Sequence, residues 1–296
     1  MNVLMKLLTL VYSLADIVPK LTFKVKTTFG KYSVFSSTIK SDSDSTPYTN
    51  YVEKAVSNQK TFSRFRRSYS YRLILEHVDY CLGKEYLKRL SAESIRKYSD
   101  SNHLSALSRI GTPRKFYFKH LGWTSPTVLR YLFVCQNLIE LFDTQEIKRV
   151  GEIGVGFGGQ LAVMQEFLSL EMYAIYDLPQ VAMLAKKVLV DSEVNSSIVS
   201  VEEIEPPLPA SYDLVVSNYA FSELPYEVQL KYLLNIFKSS KRGYLTMNSG
   251  RGNISGRTNG KMQLSEIKCH LPFLDVIEED PLTGPDNYII IWGQGT

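Results

Sequence analysis

From Lys148 onward, short apolar runs alternate with helical stripes. The run after Arg149 breaks into Gly154, Gly156, Gly158 and Gly159, and then Leu161, Ala162, Met164, Phe167 and Leu168 recur at helical spacing. This pattern predicts a strand, a glycine turn and an amphipathic helix. Residues 172–176 predict a second strand ended by Asp177, and Pro179 suits the first turn of a helix over 181–190. A short third strand is expected at 198–201, and a fourth at 214–217 with a loop at its carboxyl end. A helix over 228–237 and a strand over 243–247 follow. Runs at 273–279 and 287–292, split by a Pro-Leu-Thr-Gly-Pro turn, predict a terminal antiparallel hairpin. Strands alternating with helices define an α/β class with a mostly parallel sheet.

The front of the chain reads differently. Leu4, Leu7, Leu8, Val11, Leu14, Ala15 and Val18 form one helical stripe, interrupted by Lys6 and Asp16. No uncharged run of about 18 residues exists, so no transmembrane helix is expected. An amphipathic helix docked on the body or on a partner fits best, with peripheral membrane contact as the alternative. A signal peptide is disfavoured, because an early basic region and a small-residue cleavage site are both missing. Residues 36–50 are rich in Ser, Asp and Thr and predict a mobile surface loop. Residues 71–90 predict one helix with Leu73, Ile74, Val78, Cys81 and Leu82 inward. Ser125 can cap, and Pro126 can start, a further helix to Phe142. The organisation expected is a mainly helical region over 1–145 and a Rossmann-like domain over 146–296.

Composition is that of an ordinary soluble globular protein: 44% apolar and 22% charged over 296 residues. Cys81, Cys135 and Cys269 are far apart, so neither a disulfide framework nor a zinc site is expected. A reducing, cytoplasmic setting follows as the expectation. Charge is uneven. Residues 1–150 hold 24 Lys and Arg against 12 Asp and Glu, whereas the remainder holds 10 against 18. A basic front half can meet a phosphorylated or nucleotide-linked substrate, a membrane surface or RNA, or can be a solvated face. Within it, Arg64, Arg66, Arg67 and Arg72 can clamp phosphate, with Tyr69 or Tyr71 stacking on a base or sugar. The alternative is an amphipathic helix with a basic outer face.

The glycine turn supports two ligand readings. Gly154, Gly156 and Gly159 fit the dinucleotide pattern GxGxxG, with Asp177 near the place of a ribose-binding acid. Glu152 with Gly154, Gly156 and Gly158 also fits E-x-G-x-G-x-G. A carboxylate at Glu152 repels a pyrophosphate but suits a cationic ligand. In this motif the chain resembles class I S-adenosylmethionine-dependent methyltransferases. Asp177, at the end of the second strand, is where two ribose hydroxyls are gripped. Glu202 and Glu203 are placed for an adenine contact. Asn218, Ser222 and Glu223 lie on the fourth-strand loop and point at the pocket.

At finer grain, IGTPRKF, SPTVLRYLF, EIGVGFGGQ, YDLPQV and SNYAFSEL resemble the bacterial sugar O-methyltransferase family over residues 100–296. The resemblance implies a seven-stranded class I methyltransferase sheet ending in a C-terminal antiparallel hairpin. It implies S-adenosyl-L-methionine as cofactor, held by Glu152, Gly154, Gly156, Gly158, Gln160, Asp177, Leu178 and Asn218. The substrate implied is a sugar or nucleotide-sugar, with no nucleic acid. The helical prelude is expected to lid the pocket, with Arg114, His120, Trp123 and Arg130 on the substrate side. Glu223 is the first candidate for proton acceptor, followed by His270 and His103, and no metal is expected. The loop over 248–257, with its glycines and two arginines, is expected to gate the substrate. Alternatives are a methyltransferase acting on RNA or another small molecule, a nicotinamide-dependent oxidoreductase, and a non-enzymatic binding protein on the same fold.

Overall fold

Leu214 and Val216 belong to one apolar core, and Val215 between them belongs to a second. The same alternation sets Ile289 and Ile291 apart from Ile290. Successive side chains of a strand face opposite ways, so these strands are buried on both faces and the sheet is covered on both sides. The structure, a computed structural model, describes residues 46–204, 211–252, 260–285 and 287–294. The stripe over 1–20 and residues 36–45 of the expected loop lie outside the described residues.

The sheet has seven strands. They are β3 (Arg149–Ile153), β4 (Met172–Tyr176), β5 (Val199–Val201), β6 (Leu214–Asn218), β7 (Gly243–Met247), β8 (Asp275–Glu278) and β9 (Tyr288–Trp292), in spatial order β5-β4-β3-β6-β7-β9-β8. Strands from β5 to β7 pair in parallel, and β9 lies antiparallel to both β7 and β8. The expected terminal hairpin is present. The winding reverses at β3, which pairs with β4 on one side and β6 on the other. Ligands of open α/β sheets bind outside the strand ends at such a reversal. Glu152 is the last but one residue of this strand, in register with Ile175 of β4 and Val216 of β6.

Before the sheet come α1 (Thr46–Ser57), α2 (Gln59–Phe62), α3 (Tyr69–Ile74), α4 (Tyr80–Arg89), α5 (Ala92–Asp100) and α6 (Asn102–Leu107). A small hairpin, β1 (Phe116–Phe118) with β2 (Gly122–Thr124), and the long α7 (Pro126–Leu141) complete this part. Within the sheet run α8 (Gly159–Phe167), α9 (Pro179–Asp191), α10 (Ala220–Glu223), α11 (Tyr226–Asn235) and α12 (Leu264–His270). Val52 of α1, Leu129 of α7, Leu161 of α8 and Leu184 of α9 share a core with Val150 and Tyr173. Leu233 of α11 and Ile267 of α12 cover the other face. No helix among the described residues is long and apolar enough to cross a membrane.

Several expectations for the front part are corrected. Thr46–Asn50 are not loop: they open α1, with Tyr48 buried against Tyr71. The helix expected over 71–90 is two helices, α3 and α4, separated by residues 75–79. Asp79 starts the second by accepting from Leu82 N at 2.9 Å, and Cys81 is exposed rather than inward. Arg66 is fully buried and ion-paired with Glu76, so it belongs neither to a phosphate clamp nor to a basic outer face. Tyr71, also buried, is packed edge-on against Phe65, and of the two tyrosines only Tyr69 is exposed. Arg64, Arg67 and Tyr69 of the same stretch stay exposed. Ser125 does precede α7, but its hydroxyl accepts from Arg66 Nη2 at 3.1 Å and makes no capping bond.

Candidate functional site

The glycine turn between β3 and α8 has the backbone that its sequence foretells. Gly154, Gly156 and Gly158 have φ of 79°, 57° and 84°, which only glycine adopts without strain. Gly158 is the left-handed residue before α8. At Gly154 the absence of a side chain is also a packing need: a Cβ there would lie 2.0 Å from Ala220 Cβ. The start of α10, in the fourth-strand loop, is thereby pressed against the glycine turn.

Two carboxylates flank this turn. Asp177, directly after β4, accepts from Gly156 N at 3.2 Å and from Leu178 N at 2.7 Å. It is fixed at the carboxyl edge of the sheet, one strand away from the glycines. Glu152 is different. It is 1% exposed, and Tyr173 Oη donates to it at 2.7 Å. Burial raises its pKa to about 8, with the Tyr173 hydrogen bond pulling the other way, Asp177 repelling and Arg130 attracting the charged form. Burial thus favours the neutral acid near neutral pH, and a cationic ligand beside it would draw it to the charged form.

Gln160, the second residue of α8, is 1% exposed and donates to Tyr131 O of α7 at 3.2 Å. Asn218, at the end of β6, donates to Gln160 Oε1 at the long distance of 3.5 Å. The structure therefore brings Glu152, Gly154, Gly156, Gly158, Gln160, Asp177, Leu178 and Asn218 to one end of the sheet. Tyr173 and Tyr131 join them and were missed, because only strand register and the docking of α7 reveal them.

The fourth-strand loop is held by its own network. Ser222 Oγ donates to Asn248 Oδ1 at 2.8 Å, and Ser249 Oγ donates to Ser222 O at 2.7 Å. Asn248 Nδ2 donates to Glu223 Oε1 at 2.8 Å, and Lys261 Nζ bonds the Glu223 carbonyl. Glu223 ends α10, three residues beyond the contact with Gly154. Tyr219 precedes this helix with a positive φ of 69°, a strained backbone for a non-glycine residue. Its hydroxyl bonds the Glu279 carboxylate.

The other expected candidates disperse. His103 Nδ1 lies 2.9 Å from Ser192 O, just beyond the last residue of α9. Because α9 starts at the carboxyl end of β4 and runs back, His103 sits at the opposite end of the sheet from Glu223. His270 is the last residue of α12, which covers the second face through Ile267. His120 and Trp123 lie on the small β1–β2 hairpin, His120 exposed in its turn and Trp123 exposed on β2. Arg114 borders the buried Arg66–Glu76 pair. Of the four substrate-side candidates only Arg130 reaches the glycine-turn end, lining a cavity with Asn218, Tyr219 and Thr246. Glu202, whose amide donates to Ile175 O at 2.9 Å, follows β5 beside β4, and Glu203 is exposed. Of the expected gate, Arg251 pairs with Glu278, while residues 253–259, Arg257 among them, lie outside the described residues.

Strand order, reversal at β3 and antiparallel β9 together make this the class I methyltransferase fold. Several solved structures are similar to the chain. One is PigF with SAH, at 17% identity and a TM-score of 0.41, covering 56% of this chain and 58% of that one. A second is LaPhzM, at 15% identity and 0.40, covering 56% and 55%. A third is an O-methyltransferase family protein from Burkholderia thailandensis, at 16% identity and 0.42, covering 58% of each. Each match thus spans less than two thirds of the solved chain. No protein-family model matches this chain, and no curated protein matches it.

Proposed function

We propose that the protein is an S-adenosylmethionine-dependent O-methyltransferase whose acceptor is a hydroxyl of a sugar, nucleotide-linked or part of a cell-surface glycan precursor. The observation that carries this reading is the pairing of buried Glu152 with Asp177 across a turn of three positive-φ glycines. Glu152 would hold the α-amino group of the methionyl end, and Asp177 would accept from the two ribose hydroxyls. Leu178 and the glycine backbone would line the nucleoside between them. The donor set suits a cationic nucleoside better than a pyrophosphate, which Glu152 would repel once ionised. When bound, the cofactor supplies a methyl group already activated by a positive sulfur.

What remains for the protein is orientation and a proton acceptor. Glu223 is the acceptor in this reading. This assignment is supported by Asn248, which donates to one of its oxygens, and by Ala220, three residues earlier in α10, which meets Gly154. Glu223 would take the proton of the acceptor hydroxyl, and the bound cofactor would supply its methyl group to that oxygen and leave as a neutral thioether. The sugar assignment rests on the resemblance of the IGTPRKF, SPTVLRYLF and SNYAFSEL segments. In this reading residues 1–145 form the lid and substrate side, residues 146–296 form the cofactor domain, and the setting is cytoplasmic.

Calorimetric titration with S-adenosylhomocysteine, with NAD alongside, tests the cofactor on wild type and Asp177→Ala. Micromolar binding that weakens at least about tenfold, or 1.4 kcal/mol, in the variant is the expected result. Binding of NAD instead, or of neither, overturns the reading.

A further inference from the structure

Arg130 projects from α7 into the region between that helix and the carboxyl ends of β6 and β7. It is 7% exposed, and its Nε is fully buried without a hydrogen-bond partner. Nη1 lies 3.4 Å from His77 Nε2, at the weak limit of a hydrogen bond. Two tyrosine rings also face it. The guanidinium carbon is 5.3 Å from the centre of the Tyr131 ring and 5.6 Å from that of Tyr219. Among the described residues no carboxylate forms an ion pair with Arg130.

That is an unusual condition for a buried cation. Arginine keeps its charge, and buried charges are as a rule paired or fully hydrogen-bonded. The acids nearby are engaged elsewhere. Glu279 accepts from the Tyr219 hydroxyl, from Thr283 N at 2.7 Å and from Asn287 Nδ2 at 3.1 Å. Asp280 is held by Arg89 in a two-pronged pair, at 2.8 and 2.6 Å. Glu152 is within electrostatic range, but its own burial favours the neutral acid. Beside Arg130 a cavity of about 20 Å³ is lined also by Asn218, Tyr219, Thr246 and Glu279. At that size it holds roughly one water, so it marks where a ligand group enters rather than the whole site.

We propose that Arg130 is a carboxylate-binding subsite of the active centre, rather than a structural arginine. A planar guanidinium edge with a free Nε matches a planar carboxylate, and dry surroundings strengthen the pairing. This rests on the methyltransferase reading, and it leaves two sources of the carboxylate. One is the methionyl end of the cofactor, since Asn218 and Gln160 lie between Arg130 and the glycine turn. The other is the acceptor, which would then be a sugar acid rather than a neutral sugar.

The test uses Arg130→Met with four probes: S-adenosylhomocysteine, 5′-methylthioadenosine, and UDP-glucuronate against UDP-glucose with S-adenosylhomocysteine present. A cofactor carboxylate predicts at least tenfold weaker S-adenosylhomocysteine binding, while 5′-methylthioadenosine, which lacks the amino-acid end, binds as to wild type. An acceptor carboxylate predicts unchanged S-adenosylhomocysteine binding, with a wild-type preference for UDP-glucuronate that the variant loses. Unchanged affinity for every probe, with wild type binding S-adenosylhomocysteine normally, overturns the subsite and leaves the methyltransferase reading standing. No S-adenosylhomocysteine binding by wild type removes both. A thermal melt without ligand separates a structural role: removing an uncompensated buried cation should leave the melting temperature unchanged or higher, whereas a structural arginine would lower it. Should Arg130→Met not fold, Arg130→Lys, which keeps charge but not the planar fork, carries the same comparison.

Discussion

The Arg66 guanidinium lies 4.1 Å from the centre of the Phe157 ring, so a residue of the helical front stacks directly on the glycine turn. Arg66 is anchored by Glu76, by Leu107 O and by Ser125 Oγ. Glu76 in turn accepts from Thr127 Oγ1 at 3.0 Å. Phe157 also meets Phe65 and Tyr131 edge-on. Three residues from two segments of the front part thus converge on one residue of the turn.

Breaking this buried pair should cost stability and disturb the glycine turn. Arg66→Met leaves the buried Glu76 carboxylate without its ion-pair partner, with Thr127 and the more distant Arg72 remaining, for an expected loss of up to about 3–5 kcal/mol. The double variant Arg66→Met, Glu76→Leu should recover much of that loss, because no orphaned charge remains. Urea unfolding of the two singles and the double measures the coupling. Additive losses would show that the pair is not an energetic unit.

The state of Glu152 should be visible in pH dependence. Unfolded, a glutamate ionises near roughly pH 4.3, whereas burial holds folded Glu152 to about 8. Between those values the folded chain keeps a proton that the unfolded chain has lost, so this group lowers stability as pH rises. A cationic amine favours the carboxylate, so S-adenosylhomocysteine should bind more tightly from pH 6 to 8 and release a proton on binding. Glu152→Gln should flatten both trends across that window. Calorimetry in buffers of different ionisation enthalpy reads the proton directly, and a pH-independent wild type would contradict the assignment.

Gly154→Ala tests the contact between the two loops. The substitution puts a Cβ at a positive φ and 2.0 Å from Ala220 Cβ, so either the turn or α10 must move. Overpacking of this kind costs on the order of 1–3 kcal/mol. Because Glu223 rides on α10, turnover should suffer more than stability alone explains. A denaturation midpoint equal to wild type would show that Ala220 yields freely.

The chain's own residues determined the seven-stranded sheet because its signals are local. Hydrophobic period, four glycines in six residues, Pro179 after Asp177 and the Pro-Leu-Thr-Gly-Pro turn each act within a few residues, and the strands and terminal hairpin followed. The turn's carboxylates were legible for the same reason. The front half was not, because long-range partners decide it. Arg66 looks like surface charge until Glu76, Leu107 and Ser125 surround it, and the break over 75–79 ends an otherwise continuous helical pattern. The helix α12 did have a local sign, the reciprocal capping of Gln263 and Glu266, which went unread amid loop residues. Only tertiary structure could sort the proton-acceptor candidates. His103, His270 and Glu223 are alike in being single ionisable residues in the sequence. The direction in which α9 and α12 run carries His103 and His270 away from the turn, and Ala220, three residues before Glu223, is pressed on Gly154.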